Sequence, residues 1–515
     1  RQRAVLVGTT SLYAADAARM QLIDAWTRLD HGLTAFEPVW RPQPFRLVTP
    51  SPTSISDTAW QHPLHERALE LDEPAFQTLF NDGSNSNALL YDWMQDVLAD
   101  LASTNSGTGT SSPCSSGDGE NEGHSVARLQ YQAQSFGSMV DVLEQLPTRQ
   151  AGDIHQPPSY SGRTQPREAN GVPGRKWEQV EAFSRLVPKG SNPIVDWCSG
   201  KGHLARWMHT STCSCGSGRG GRPVHCLEID PNLCRSGELL TKKQRTIQPN
   251  DVVFYEHDVL MDPLPSNLQG TDYTYTALHA CGELHRTALV SAATQQARAI
   301  VVVPCCYEKH FGIASHSDTA CRTLQFQPLS AVANKHTSLS ITRDDLFLAV
   351  ADGVVTASAK EAKVREKEMA WRLAFDLWRT DITTDIQSGT DDQLFSVPSA
   401  PYGLLAEDDF ALFLRHCVTS KGRSSAARKR LEPALDAALS NGPRSLEEYA
   451  VRGEELRLRV ERLELVRRAF QRPFEMWLAT DYGLFLEEKG YRVDLRTLCD
   501  RNVTPRNIAI VAQRL

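Results

Sequence analysis

Residues Ile194 to Ala205 read Ile-Val-Asp-Trp-Cys-Ser-Gly-Lys-Gly-His-Leu-Ala, a β-branched strand that runs through a glycine turn into a helical pattern. Such a junction gathers the strand's carboxyl end and the helix amino terminus around one point. Glycines there remove the Cβ atoms that would hold a ligand away from the backbone. The expectation is an α/β sheet with a nucleotide-like ligand over Asp196, Cys198, Gly200 and Gly202. A strand, turn and helix without any ligand is the alternative reading of a glycine pair. Dinucleotide sites use G-x-G-x-x-G, and the third glycine is missing here, so a pyrophosphate is not expected.

Further strand-like runs follow at intervals suited to a parallel sheet. Val224 to Asp230 ends in acids, and a carboxylate at that edge can accept both hydrogen bonds of a ribose diol. Glu228, nearer the apolar run, is the better candidate. It stands 32 residues after Asp196, a long interval that Cys213 to Gly221 explains as a loop inserted between helix and strand. Asp251 to Glu256 leads to Asp258, which has two readings: a partner for an adenine amino group, or a helix N-cap. Leu278-His279-Ala280-Cys281-Gly282-Glu283-Leu284 and Val303-Pro304-Cys305-Cys306-Tyr307-Glu308 close the fourth and fifth strands at the same ligand-binding edge.

These motifs resemble one branch of Rossmann-like S-adenosylmethionine methyltransferases. The branch includes tRNA 2'-O-methyltransferases, a methyltransferase domain attached to a glutathione-S-transferase-like module, and methyltransferase-like proteins with a C-terminal Pro-Arg-Asn strand. The resemblance rests on Asp196 to Leu204, His279 to Gly282, Cys305 to Tyr307, and Thr504-Pro505-Arg506-Asn507. It implies S-adenosyl-L-methionine as cofactor, held by Asp196, Cys198, Gly200, Gly202, Glu228, Asp258, His279 and Cys281. Two departures set the chain apart from the tRNA enzymes: there is no N-terminal Cys/His zinc finger, and Tyr307 follows the paired cysteines where those enzymes have His. The resemblance also implies a class I seven-stranded α/β sheet closed by a terminal β-hairpin.

That hairpin organises the rest of the chain. Tyr491 to Leu495 and Asn507 to Ala512 read as an antiparallel pair, so the methyltransferase core takes residues 171 to 310 and is completed by 489 to 515. Residues 311 to 488 are then a largely helical insertion or cap over the cofactor edge, with short strands expected near 310 to 358. Residues 1 to 101 form a mostly helical accessory region that begins with a sheet-like run, Ala4 to Val7. Residues 102 to 124 are a Ser/Gly-rich linker, and 125 to 170 connect it to the core. A length of 515 residues exceeds one hydrophobic core and fits this division.

Charge and cysteine usage narrow the partners. No stretch approaches the roughly 20 apolar residues that span a bilayer, so no membrane is expected. The 12 cysteines lack a small-domain framework and suit a reducing, cytoplasmic compartment. Cys213, Cys215, Cys226 and Cys234 lack the knuckle spacing of a zinc site, and no metal is expected. Between Arg415 and Arg472 the chain carries 14 Lys or Arg against 8 Asp or Glu, in a protein of net charge −7. This segment, with Arg428, Lys429 and Arg430 at its centre, is either a helix face laced with ion pairs or a grip for RNA phosphates.

Methyl transfer to a hydroxyl or amine also releases a proton. His279, Glu283 and His285 are the candidate bases, although Glu283 also suits a helix start and either histidine a loop carbonyl. Cys305, Cys306 and Tyr307 are the candidate substrate contacts. No Asn/Asp-Pro-Pro-Tyr run is present, which argues against methylation of exocyclic base amines. Cys281 and Cys305 leave open a covalent C5-pyrimidine route, or a plain packing role beneath the cofactor. The combined expectation is a methyltransferase acting on RNA, with a protein or small-molecule acceptor, or a non-catalytic binding role, as alternatives.

Overall fold

The computed structural model describes residues 2–42, 62–80, 87–104, 119–146, 172, 174–213, 221–244, 246–270, 272–309, 325–350, 359–383, 404–405, 408–420, 425–440 and 443–515. Seven strands form one sheet: β1 (Ile194–Trp197), β2 (Val224–Glu228), β3 (Val252–Glu256), β4 (Thr274–Cys281), β5 (Ala299–Cys305), β6 (Tyr491–Thr497) and β7 (Ile508–Arg514). Their order is β3-β2-β1-β4-β5-β7-β6, with β1 to β5 parallel and β7 antiparallel to both neighbours. The chain reverses direction in sheet order between β1 and β4. Ligands bind at such a switch point, outside the strands' carboxyl ends.

The helices that matter here are α1 (Gln2–Ala35), α2 (Gly119–Gln145), α3 (Gly174–Leu186), α4 (His203–Ser211), α5 (Pro231–Lys242) and α6 (Glu283–Thr294). Further along come α7 (Ala359–Thr383), α8 (Phe410–Thr419), α9 (Ser425–Ser440), α10 (Pro443–Arg468) and α11 (Gln471–Glu488). One face of the sheet is covered by α3 and α4, where Trp177, Phe183, Ala205 and Met208 bury against Ile194, Cys226, Val301 and Val511. The other face meets α6 and α11, and beyond them the N-terminal helices. Central strands buried on both sides explain why β5 is an unbroken apolar run, Ala299 to Val303.

Two expectations change in the structure. The run Ala4–Val7 lies within α1, because a short apolar run carries no periodicity that separates strand from buried helix. The accessory region is also joined to the sheet domain's core: α1 packs directly on α11, with Trp26 and Leu29 joining the same core as Trp477 and Ala479. Lastly, α11 belongs to the sheet rather than to the inserted cap, since it packs on β6 and β7 and feeds straight into β6. The inserted helices α7 to α10 enclose a core of their own, with Trp371, Phe375, Phe413, Leu414 and Leu431 fully or nearly buried.

The expected short strands near 310 to 358 are also not formed as such. Among the described residues this stretch holds two short helices and one isolated bridge, Gln325 to Thr342. Most of the Ser/Gly-rich linker, residues 147–171, and residues 214–220 of the inserted loop lie outside the described residues, while the first half of the connecting region continues α2. The end of that linker, from Gly119, is already the first turn of α2.

Candidate active site

The turn after β1 is built on left-handed backbone. Cys198, Gly200 and Gly202 have φ of 57°, 58° and 67°. The two glycines do different work. A Cβ on Gly200 would meet no atom within 4 Å, so this residue faces open space at the carboxyl edge. A Cβ on Gly202 would lie 2.5 Å from the Phe254 ring of β3. Gly200 therefore leaves room for a ligand, while Gly202 lets α4 settle on the sheet, a distinction that spacing alone does not disclose.

Two carboxylates face this turn. Glu228 accepts from the Gly200 amide at 2.8 Å with one oxygen and from the Asp230 amide at 3.1 Å with the other. Each oxygen keeps a further lone pair, so the group is oriented yet still able to accept from a diol. Asp196 is 2% exposed and accepts from the Thr276 hydroxyl at 3.1 Å, but its Oδ2 has no hydrogen-bond partner in the protein. Burial, reinforced by the charge of Glu228, raises its carboxyl pKa to about 7. A buried, half-partnered acid beside open space is suited to a cationic ligand, which would supply the missing partner. Asp258, after β3, accepts from the Leu260 amide at 2.9 Å and stabilises the turn that follows. Cys198 is no nucleophile: burial near Glu228 pushes its thiol up to about 12.

Residues 175–310 match the family model described as a methyltransferase domain. This part of the chain is a methyltransferase domain. Its five parallel strands, joined by β6 and β7 from the end of the chain, make the seven-stranded sheet of the class I, Rossmann-like fold. No curated protein matches the chain in a sequence comparison. Among solved structures, similarity is found to the YcgJ protein of Bacillus subtilis at 12% identity, over 25% of this chain and 51% of that one, TM-score 0.20. The chain thus spans about half the length of that structure. The 23S rRNA methyltransferase ErmE is similar at 12% identity, over 56% of this chain and 98% of that one, TM-score 0.19. Coclaurine N-methyltransferase bound to N-methylheliamine and SAH is similar at 11% identity, over 88% and 99%, TM-score 0.21.

The methyltransferase domain sorts the remaining candidates. Glu283 opens α6 and is half-buried, and desolvation raises its pKa against the lowering effect of Arg286 and His285. His279 has a left-handed φ of 64° and an exposed ring. Crowding by protein, with Lys176 nearby, lowers its imidazole pKa, so it is neutral near pH 7. His285 and Tyr307 are a different matter. Both are 0% exposed. His285 Nδ1 lies 3.0 Å from the Ala280 carbonyl, and its ring packs edge-on against Tyr307 and Tyr482. As a base and a substrate contact respectively they are out of reach, because the first turn of α6 and the turn after β5 point them into the core.

The cysteine motifs after β4 and β5 converge. A register shift between Leu278 and Cys281 sets Cys281 level with Cys305 on the neighbouring strand. Their sulfurs are 3.4 Å apart, and donation from Cys305 and Cys306 holds the Cys281 thiol below the ordinary range. Cys305 itself is buried at 3% exposure, which withdraws it as a covalent nucleophile or substrate contact. Cys306 is half-buried.

Part of the basic segment is held in internal ion pairs among the described residues. Arg457 meets Glu454 and Glu461, Arg462 meets Glu73, Arg467 meets Glu464, and Arg472 meets Glu475. Arg428 donates to the Ser420 carbonyl, while Lys429 is exposed on α9. The side chain of Arg430 lies outside the described residues.

Proposed function

We propose that the chain is an S-adenosyl-L-methionine-dependent methyltransferase. The observation that carries this reading is the orphaned, buried Asp196 carboxylate beside the open space at Gly200 and the preset Glu228 carboxylate. These groups match a ligand with a positive charge, a ribose diol and no phosphate. In this reading Glu228 takes the diol, Asp196 faces the cationic methionine portion, and the turn carrying Asp258 borders the adenine. S-adenosylmethionine supplies a methyl group activated by a sulfonium. The chain's own part is to hold donor and acceptor in line, exclude water, and take the acceptor's proton. Glu283 is the base of choice because burial raises its carboxyl pKa toward neutrality, and neutral His279 stands at the same edge. Calorimetry with S-adenosylmethionine tests this, and folded protein that binds none would overturn it.

The pH dependence of that binding follows from Asp196. A cationic ligand favours the ionised carboxylate, whose pKa is about 7 before binding. Affinity is therefore expected to rise with pH, by up to about tenfold per unit below pH 7, and to level off above it. Titrations between pH 5.5 and pH 8.5, on a scale of roughly one pKa unit per 1.4 kcal/mol, check this. An Asp196→Asn variant should bind more weakly and show little of the slope.

RNA is the acceptor that we propose first, supported by the charge of the segment that includes Lys429. The internal pairing above withdraws part of these cations from phosphates, so a footprint smaller than the segment's full charge is expected. RNA binding should weaken as salt rises, with a log–log slope of about −2 to −3 rather than the steep slope of a wide basic face. Replacing Arg428, Lys429 and Arg430 together with alanine should flatten that slope. Salt-independent or absent binding in filter assays would point to a protein or small-molecule acceptor.

A further inference from the structure

The sulfurs of Cys281, Cys305 and Cys306 all lie within 4.8 Å of one another, and among the described residues no other group of three candidate ligands comes together in this way. All three cysteines are free thiols. The grouping is built by backbone that would not otherwise be favoured. The register shift in β4 brings Cys281 opposite Cys305; a continuous ladder would have placed Ala280 there. Cys306 takes a left-handed φ of 49°, and His279 and Gly282 on the facing segment have 64° and 59°. Non-glycine residues in that region are strained, and such strain gathers where a ligand has to be held. Gly282 completes the arrangement: a Cβ there would collide with the Lys309 backbone, so only glycine lets the 307–309 turn close over the start of α6. The Gly282 amide then donates to the Cys305 carbonyl at 3.0 Å, tying the two cysteine segments together.

We propose that Cys281, Cys305 and Cys306 form a three-thiolate site for one zinc ion, with its fourth position open at the carboxyl edge of the sheet. Three thiolates at about 2.3 Å from a tetrahedral zinc lie roughly 3.8 Å apart. The 3.4 Å separation of Cys281 and Cys305 and the 4.8 Å limit for the group bracket that spacing. Thiolates select soft or borderline cations over magnesium and calcium, and three protein ligands with one open position is the arrangement of zinc that binds a further molecule. Each Zn–S bond replaces an S–H bond, and the released proton goes to the buffer. A disulfide between Cys281 and Cys305 would account for two of the sulfurs but give no role to the strained Cys306. The inference rests on the sulfur geometry and is independent of the cofactor reading.

The test uses the full chain, reduced, stripped of metal with a chelator, and titrated with cobalt(II) as a spectroscopic probe and then with zinc. The expected result is one cobalt per chain, with a thiolate-to-cobalt charge-transfer band and tetrahedral visible bands that zinc abolishes. Native mass spectrometry should show a single bound zinc. Cys306 is half-buried, so Cys306→Ser is the first variant; it should bind cobalt at least tenfold more weakly and lose roughly one third of the band's intensity, one sulfur of three. A Cys213→Ser control should leave both unchanged. Absence of stoichiometric metal uptake by the reduced wild type would overturn the proposal, as would an undiminished band in folded Cys306→Ser protein. Metal uptake without S-adenosylmethionine binding would support this site while removing the cofactor reading, and the converse would do the opposite.

Discussion

Glu228→Ala should weaken S-adenosylmethionine binding by roughly 10²–10⁴-fold, because two hydrogen bonds to a charged acceptor contribute about 1.5–3 kcal/mol each. Part of that loss comes from the turn itself. Glu228 holds the Gly200 and Asp230 amides at 2.8 and 3.1 Å, and without the carboxylate both donors lose the group that orients them. A second readout separates electrostatics from disorder. Glu228 is one of the charges that raise the Asp196 carboxyl pKa, so its removal should move the midpoint of the pH-dependent binding below about 7. Calorimetry at several pH values measures both. If affinity falls less than tenfold and the midpoint stays in place, Glu228 does not face the ligand.

The other large effect concerns stability. Trp477→Ala is expected to destabilise the chain by about 3–5 kcal/mol, the range for removing a fully buried large aromatic. Trp477 has no exposed surface and is packed between Trp26 of α1, Phe474 of its own helix and Phe326, at centroid distances of 6.0 to 6.2 Å. Its indole also donates to Asp30 at 3.0 Å, a buried carboxyl whose pKa is raised by desolvation and moderated by this bond and by Thr337. Truncation thus leaves a cavity and weakens the solvation of a buried acid at once. Trp477→Phe keeps most of the packing and removes only the donor, so it should cost about 1–3 kcal/mol. Urea unfolding followed by circular dichroism would measure the pair. A loss below about 1 kcal/mol for the alanine variant would mean that α1 is not docked on α11 as described.

Much of the methyltransferase domain is legible in the sequence. Strand periodicity and the glycine turn locate β1, β2 and β3, and the terminal pair Tyr491 to Leu495 and Asn507 to Ala512 falls on β6 and β7. These features are local: a β-branched run, a turn that needs positive φ and an acid at a strand end each leave a mark on adjacent residues. The misreadings were of a different kind. Ala4 to Val7 is helical, and its apolar run is too short to show a period; α11 joins the sheet rather than the cap, because helical periodicity does not say what a helix packs against.

The site divides along the same line. Residue type and spacing determined that Asp196, Gly200 and Glu228 would meet at one edge of a parallel sheet, since strand direction and turn chemistry are encoded within a few residues. Only the tertiary structure decided which glycine faces open space, that Asp196 keeps an unpartnered oxygen, and that His285 and Tyr307 turn inward while Glu283 is only half-buried. It alone brought Cys281 to Cys305 and Cys306, 24 and 25 residues away, because a shift in strand register appears in no local pattern. Burial, register and the pairing of charges are properties of contacts between distant segments, and those contacts exist only once the chain has folded.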